Sequence, residues 1–263
     1  MRFGRLPADP AALARAPKLA THLLAAMEPS PRIDRSAVPF HPRQFWNGAL
    51  TGPSQQPELP DCTAAAVANL ALAVSALNGF ETKIDDARVP AFYGQCIGMP
   101  SATPEQLAAT GGAVMLDVMR RVAVQGFETG AQLLVPRFGV LPLDQMRIAA
   151  AVDRLGGAAL GITLYARDME VAGSDTPWDE TGADPGAVEG GHCLLAWDYT
   201  GLRPTDLVRL VTWGGMKAAT WRWVMARTRE AYGVIFPALG QTDGVSLGVD
   251  AAALDAELTG MAA

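Results

Sequence analysis

The chain carries three cysteines (Cys62, Cys96, Cys193) and three histidines (His22, His41, His192), the side-chain types that combine as a nucleophile and its proton acceptor. Cys62 stands at the head of an alanine-rich apolar run, "DCTAAAVANLALAVSAL". That run reads as a helix from Asp61 to Leu77, stopped by Asn78-Gly79. The partial positive charge of a helix N-terminus lowers a thiol pKa, so Cys62 sits where a reactive cysteine would be placed. Asp61 beside it would raise that pKa, unless its carboxylate turns away to cap the helix, which is how we read it. His192 opens a strand after two glycines, in "EGGHCLLAWDYTG". His22 lies in a short helix near the start of the chain and His41 in a proline-flanked loop, which leaves His192 as the candidate base for Cys62. The plainer alternative is a buried core cysteine and a structural histidine. Cys193, on the alternate face of the His192 strand, is expected to be buried and inert, and Cys96 to fill a loop or helix end.

The elements that must position this pair follow from periodicity. Residues 1–55 read as an extended Pro/Arg-rich arm with one short helix around Ala11 to Met27, residues 56–240 as the main domain, and 241–263 as a polar tail with a weak helix at Ala251 to Leu258. A second helix runs through "TGGAVMLDVMRRVAVQGF" and a third through "PLDQMRIAAAVDRLGG". "AALGITLYA" has strand character, and "HCLLAWDYTG" and "DLVRLVTWGG" read as antiparallel neighbours. The long segment between, "RDMEVAGSDTPWDETGADPGAVEGG", reads as irregular. A helical turn or two in "TWRWVMARTREAYGVIF" leads to a last strand at Tyr232 to Phe236. Helices first and antiparallel strands second predict the α+β class.

Composition removes several functions. With 263 residues, 49% of them apolar, the chain can bury a substantial core. A net charge of -6 and no basic run longer than Arg120-Arg121 argue against nucleic acid as a partner. No stretch approaches 18 uncharged apolar residues, and the opening lacks the apolar run of an export signal, so neither membrane insertion nor secretion is expected. Three cysteines at these spacings fit neither a disulfide framework nor a metal clip. No metal or cofactor is expected, and the oligomeric state is open.

Taken in order, these motifs resemble the papain-like cysteine peptidases. In "QPELPDCT" Gln56 stands six residues before Cys62, where that family has its oxyanion-hole glutamine. "TGGAVMLDVMRRVAVQGF" resembles the Gly-Gly helix, "GGHCLLAWDYTG" the histidine strand and "LVRLVTWGG" the strand that ends in Asn-Ser-Trp-Gly. The Asp-Cys helix, "PWDE…EGGH" and "VTWGG…TW…EAY" are similar in particular to papain-like proteins encoded in tailed-bacteriophage genomes.

The resemblance implies a papain-like fold with catalytic Cys62, His192 and Gln56, and Trp213 as a shield behind the histidine. Val211 stands where the family has its histidine-orienting asparagine, and no asparagine follows His192. Thr212 and Asp198 are the candidate substitutes, although neither stands at the family's position. Two functions of different classes stay open. One is a cysteine peptidase or amidase acting on a peptide or amide substrate. The other is a weakened or inactive papain fold serving as a structural or adaptor component among neighbouring virion proteins. The implied location is the cytoplasm of the producing cell or the virion. The arm is a candidate cover for the cleft, with Gln44, Phe45 and Trp46 as its plugging residues.

Overall fold

The computed structural model describes residues 3–22, 28–47, 58–241 and 248–262. The chain opens with β1 (Arg5–Leu6), α1 (Pro10–Arg15) and a 3-10 turn, Leu19–His22. A helical half follows: α2 (Cys62–Leu77), α3 (Arg88–Cys96), α4 (Pro104–Ala108), β2 (Ala113–Val114) and α5 (Met115–Gln125). Then come β3 (Phe127–Glu128), β4 (Leu133–Leu134), β5 (Arg137–Val140), α6 (Gln145–Leu155), β6 (Ala158–Tyr165), α7 (Ala166–Glu170) and β7 (Val188–Tyr199). The chain ends through β8 (Leu207–Thr212), β9 (Gly215–Thr220), α8 (Trp221–Arg227), β10 (Thr228–Ile235) and α9 (Ala251–Ala262).

Six strands form one antiparallel sheet in the order β5-β10-β6-β7-β8-β9. The architecture is α+β, a helical half followed by an antiparallel sheet. Helix α2 lies between the two halves, and every residue from Cys62 to Ala76 is buried. Its alanines make that possible, because small side chains let both halves approach the helix closely. Asn78 caps its end, and Gly79 takes the left-handed φ of +81° that favours glycine.

Several elements differ from the sequence reading. Helix α4 begins with a capping box, Thr103 and Gln106 each bonding the other's backbone, with Pro104 in the first turn. Its five residues are too few to show a period. The long acidic segment opens on α7, whose first-turn Asp168 accepts from the Tyr165 amide, and its last residues, from Val188, already belong to β7. Pro17 follows α1, so the early helix is only six residues long.

Neither end of the chain stands apart from the rest. Ala16, Leu19, Phe40 and Phe45 join the same core as the sheet, as do Val249 and Leu254 near the C-terminus. Arg35 is buried and donates to the carbonyls of Val152, Gly156 and Trp197, which ties the early segment to the end of α6 and to β7. His22 Nε2 lies 3.0 Å from Glu257 on α9. No described helix is long and apolar enough to cross a membrane.

Candidate active site

Cys62 is the first residue of α2 and is 1% exposed. Burial pushes its thiol up to about 12; the amides of Cys193 and Gly4 facing the sulfur, and the Arg5 charge, pull the other way, while Asp61 adds to the rise. The helix N-terminus therefore loses to desolvation. Asp61 does not cap the helix. Its side chain makes no cap bond, and both carboxylate oxygens are buried without a hydrogen-bond partner among the described residues. The Asn47 amide faces it and favours the anion, but burial dominates and raises the Asp61 pKa well above the usual carboxylate range.

His192 is fully buried on β7. Its Nε2 lies 2.7 Å from Thr212 Oγ1 on β8. Nδ1, the nitrogen left to meet a thiol, has no partner among the described residues. Thr212 thus meets the histidine although the sequence position pointed elsewhere. Strand alternation explains it: Val211 pairs with Leu195, so Thr212 falls on the other face of the sheet, the one that Leu194 and His192 share. Asp198 is not brought to His192; it accepts from Arg209 Nε at 2.7 Å and from the Arg35 amide at 3.2 Å. Gln56 lies outside the described residues.

Trp213 stacks on the His192 ring, centroids 4.7 Å apart. It sits with Gly214 in the two-residue turn of the β8–β9 hairpin, both with positive φ, at +47° and +77°. That conformation is unfavourable for a tryptophan, and the ring contacts hold it. Trp213 meets the edge of Trp178, which stacks on Trp223 at 4.6 Å. Asp168 anchors this ladder: its carboxylate accepts from Trp223 Nε1 at 2.7 Å and from Arg227 Nε at 2.9 Å, and its carbonyl accepts from Trp178 Nε1 at 2.7 Å. Two further acids of the loop find cations within the chain, Asp179 with Arg222 and Glu180 with Arg227. Lys217 Nζ donates to the carbonyls of Val171, Ser174 and Thr176 and closes the loop onto β9. The tryptophan-rich "TPWDE" and "TWRW" segments carried this signal, but no spacing rule links them.

The site is covered from two sides. Residues 3–6 run between the two halves across the start of α2. Ala113 N donates to Gly4 O at 2.8 Å, and the Gly4 α-carbon packs on the Pro60 backbone so closely that a Cβ there would lie 1.9 Å from Pro60 O. Phe3 lies against Gly190, and the Arg5 carbonyl against Gly191 just before the histidine. On the other side Asn69 of α2 clamps the Arg43 backbone, with bonds of 2.8 Å to its amide and its carbonyl, and holds Gln44 against Gly214. Of the expected plugs only Gln44 lines the cavity beside Cys62; Phe45 turns into the core. The cavity, about 10 Å³, has room for about one water molecule. Cys193 is buried as expected: its thiol lies 3.4 Å from Met115 Sδ, with its pKa pushed well up by burial. Cys96, the last residue of α3, is also raised, to about 12, by burial.

Cys62 and His192 share no hydrogen bond among the described residues, and in this closed state both are neutral. Burial, with a smaller contribution from the Arg5 charge, drops the His192 pKa to about 3. A base whose folded value is depressed favours the neutral form in the fold. Its contribution to stability is complete above the unfolded value of about 6.5 and is lost as pH falls from there toward 3. Across that window the parent is expected to lose about 1.4 kcal/mol per pH unit more than His192→Gln in urea unfolding. Parallel stability curves would contradict a buried neutral His192.

No group of three or more His, Cys, Asp or Glu suited to a metal ion occurs among the described residues. No protein-family profile and no curated protein sequence matches the chain. Solved structures do match. Xylellain, a cysteine protease from Xylella fastidiosa, aligns with a TM-score of 0.58 at 12% identity over 89% of this chain and 95% of its own. Procathepsin B from Trypanosoma congolense aligns at 0.53 and 11% identity, covering 90% and 83% of the two chains. A digestive procathepsin L from the larval midgut of Tenebrio molitor aligns at 0.51 and 13%, covering 85% and 77%. At such identities the likeness establishes architecture, and the chain has the papain-like cysteine protease fold.

Proposed function

We propose that the protein is a latent cysteine hydrolase of papain type, with Cys62 as nucleophile and His192 as its base. The observation that carries this reading is the histidine, with Nε2 engaged by Thr212, one face shielded by Trp213, and Nδ1 unpartnered. In the open state Cys62 Sγ forms a bond to the carbonyl carbon of a peptide or amide, and its proton passes to His192 Nδ1. The C–N bond then breaks as His192 returns that proton to the leaving amine. Water, deprotonated by His192, hydrolyses the resulting thioester and regenerates the thiol. The α2 N-terminus supplies the Cys62 amide to the oxyanion, with Gln56 as the second donor. The resemblance to proteins of tailed-phage genomes makes a virion precursor or cell-wall amide the substrate to try first.

Thr212 does the orienting work with a hydroxyl, which both donates and accepts, whereas an asparagine carbonyl would fix one tautomer. Thr212→Val is expected to cut turnover by about tenfold or more, part of the gain a well-placed base provides, with KM little changed. An unchanged kcat would remove Thr212 from the machinery. The reading itself is tested with a peptidyl vinyl sulfone on the Gly4→Val variant, whose added side chain cannot fit beneath Pro60. We expect a mass addition on Cys62 that is lost in Gly4→Val/His192→Ala. Labelling that ignores His192, or no labelling, would favour the adaptor reading, to which the covered site and Val211 also lend themselves.

A further inference from the structure

We propose that the buried pocket holding Arg5 is a specificity pocket for an arginine side chain, so that the substrates of this site carry arginine. The proposal deepens the hydrolase reading and rests on it for the word substrate. Arg5 follows the residue whose amide faces the Cys62 sulfur. Its side chain is 6% exposed and passes into the sheet half, where Nη1 meets Glu230 Oε1 at 2.7 Å and Nε donates to the Ile162 carbonyl at 3.2 Å.

The pocket is shaped as well as charged. Glu230, on β10, is 2% exposed, and its second oxygen accepts from Tyr232 Oη at 2.6 Å, which leaves the first aimed at the guanidinium. Gly161 on β6 forms the wall. A Cβ there would lie 2.5 Å from Glu230 Cγ and 2.7 Å from Arg5 Cδ, so the missing side chain is the space the arginine stem uses. Gly191 likewise lets the Arg5 backbone pass beside His192.

A purely structural ion pair would join two elements fixed by packing. Here one partner rides on a two-residue strand of a terminal segment that lies over a thiol. Buried pairs contribute little net stability compared with apolar packing, whereas they discriminate strongly against the wrong side chain. An acid at the end of a narrow pocket, a carbonyl along its side and a glycine wall together recognise a guanidinium.

The test uses Arg5→Ala in the full chain, which empties the pocket, and n-propylguanidinium with n-propylurea as its neutral isostere. Millimolar propylguanidinium is expected to raise the melting temperature of Arg5→Ala by about 2–5 °C. Propylurea should not, and the parent and Arg5→Ala/Glu230→Gln should respond to neither. If Arg5→Ala does not fold unaided, the yield of refolded protein with each compound gives the same comparison. Equal effects of the two compounds, or none from either, overturn the proposal. A second arm compares fluorogenic peptides bearing arginine or citrulline on Gly4→Val, with a preference of at least about tenfold expected for arginine. Rescue without cleavage of any peptide keeps the pocket and sinks the hydrolase. Cleavage without preference keeps the hydrolase and sinks the pocket.

Discussion

Gly4→Val is expected to raise the alkylation rate of Cys62 by iodoacetamide at pH 7.5 at least about three-thousandfold. The glycine α-carbon rests on Pro60, and a Cβ there would lie 1.9 Å from its carbonyl oxygen and 2.2 Å from its carbonyl carbon. Neither is the end of a flexible side chain, so residues 3–6 must leave the groove. In the closed state burial holds the thiol up at about 12. Even a solvated cysteine without a partner titrates near 8.5, which alone takes the thiolate fraction at pH 7.5 from about one in thirty thousand to about one in ten, and pairing with His192 raises it further. Mass spectrometry with Cys96 and Cys193 replaced by alanine reads the rate at one sulfur. Equal rates in parent and variant would mean that the segment does not cover the site.

Asp168→Ala is expected to cost about 3–5 kcal/mol of stability, because it strips a buried cation of its partner. Arg227 is 6% exposed and would keep Glu180 as its one ion partner beside the Tyr165 ring, while Trp223 Nε1 would be left buried without an acceptor. The loss travels toward the site through stacked rings: Trp223 holds Trp178, Trp178 holds Trp213, and Trp213 covers His192. Urea unfolding measures the first effect, and a red shift of tryptophan emission in the folded variant the second. A loss under about 1 kcal/mol would show that Arg227 and the rings are held by packing alone.

Much of the frame could be read from residue order. Helix α2 was legible because sixteen residues without a proline or charge, ended by Asn78-Gly79, leave few alternatives. Strands β7 and β8 were legible as antiparallel partners from apolar runs a short turn apart. The proposal that Cys62 pairs with His192 rests on chain order and family resemblance; the geometry adds Thr212, because alternation along β8 moves the hydroxyl onto the histidine's face. What stayed hidden depends on contacts between residues far apart in sequence. Nothing in "RFGRLP" announces that Gly4 fits under Pro60 or that Arg5 will meet Glu230, 225 residues away. Asp61 misled for a related reason: N-cap preference assumes a solvated first turn, and here that turn is sealed under the sheet half.

Cys62 and His192 are expected to become a working pair once residues 3–6 are displaced. The direct measurement is the pH dependence of Cys62 alkylation in Gly4→Val, beside Gly4→Val/His192→Ala, both without Cys96 and Cys193. The expected midpoint lies well below pH 8 and moves up toward 8.5 when His192 is removed, the behaviour of a thiolate stabilised by an imidazolium. A midpoint near 8.5 in both proteins would contradict it.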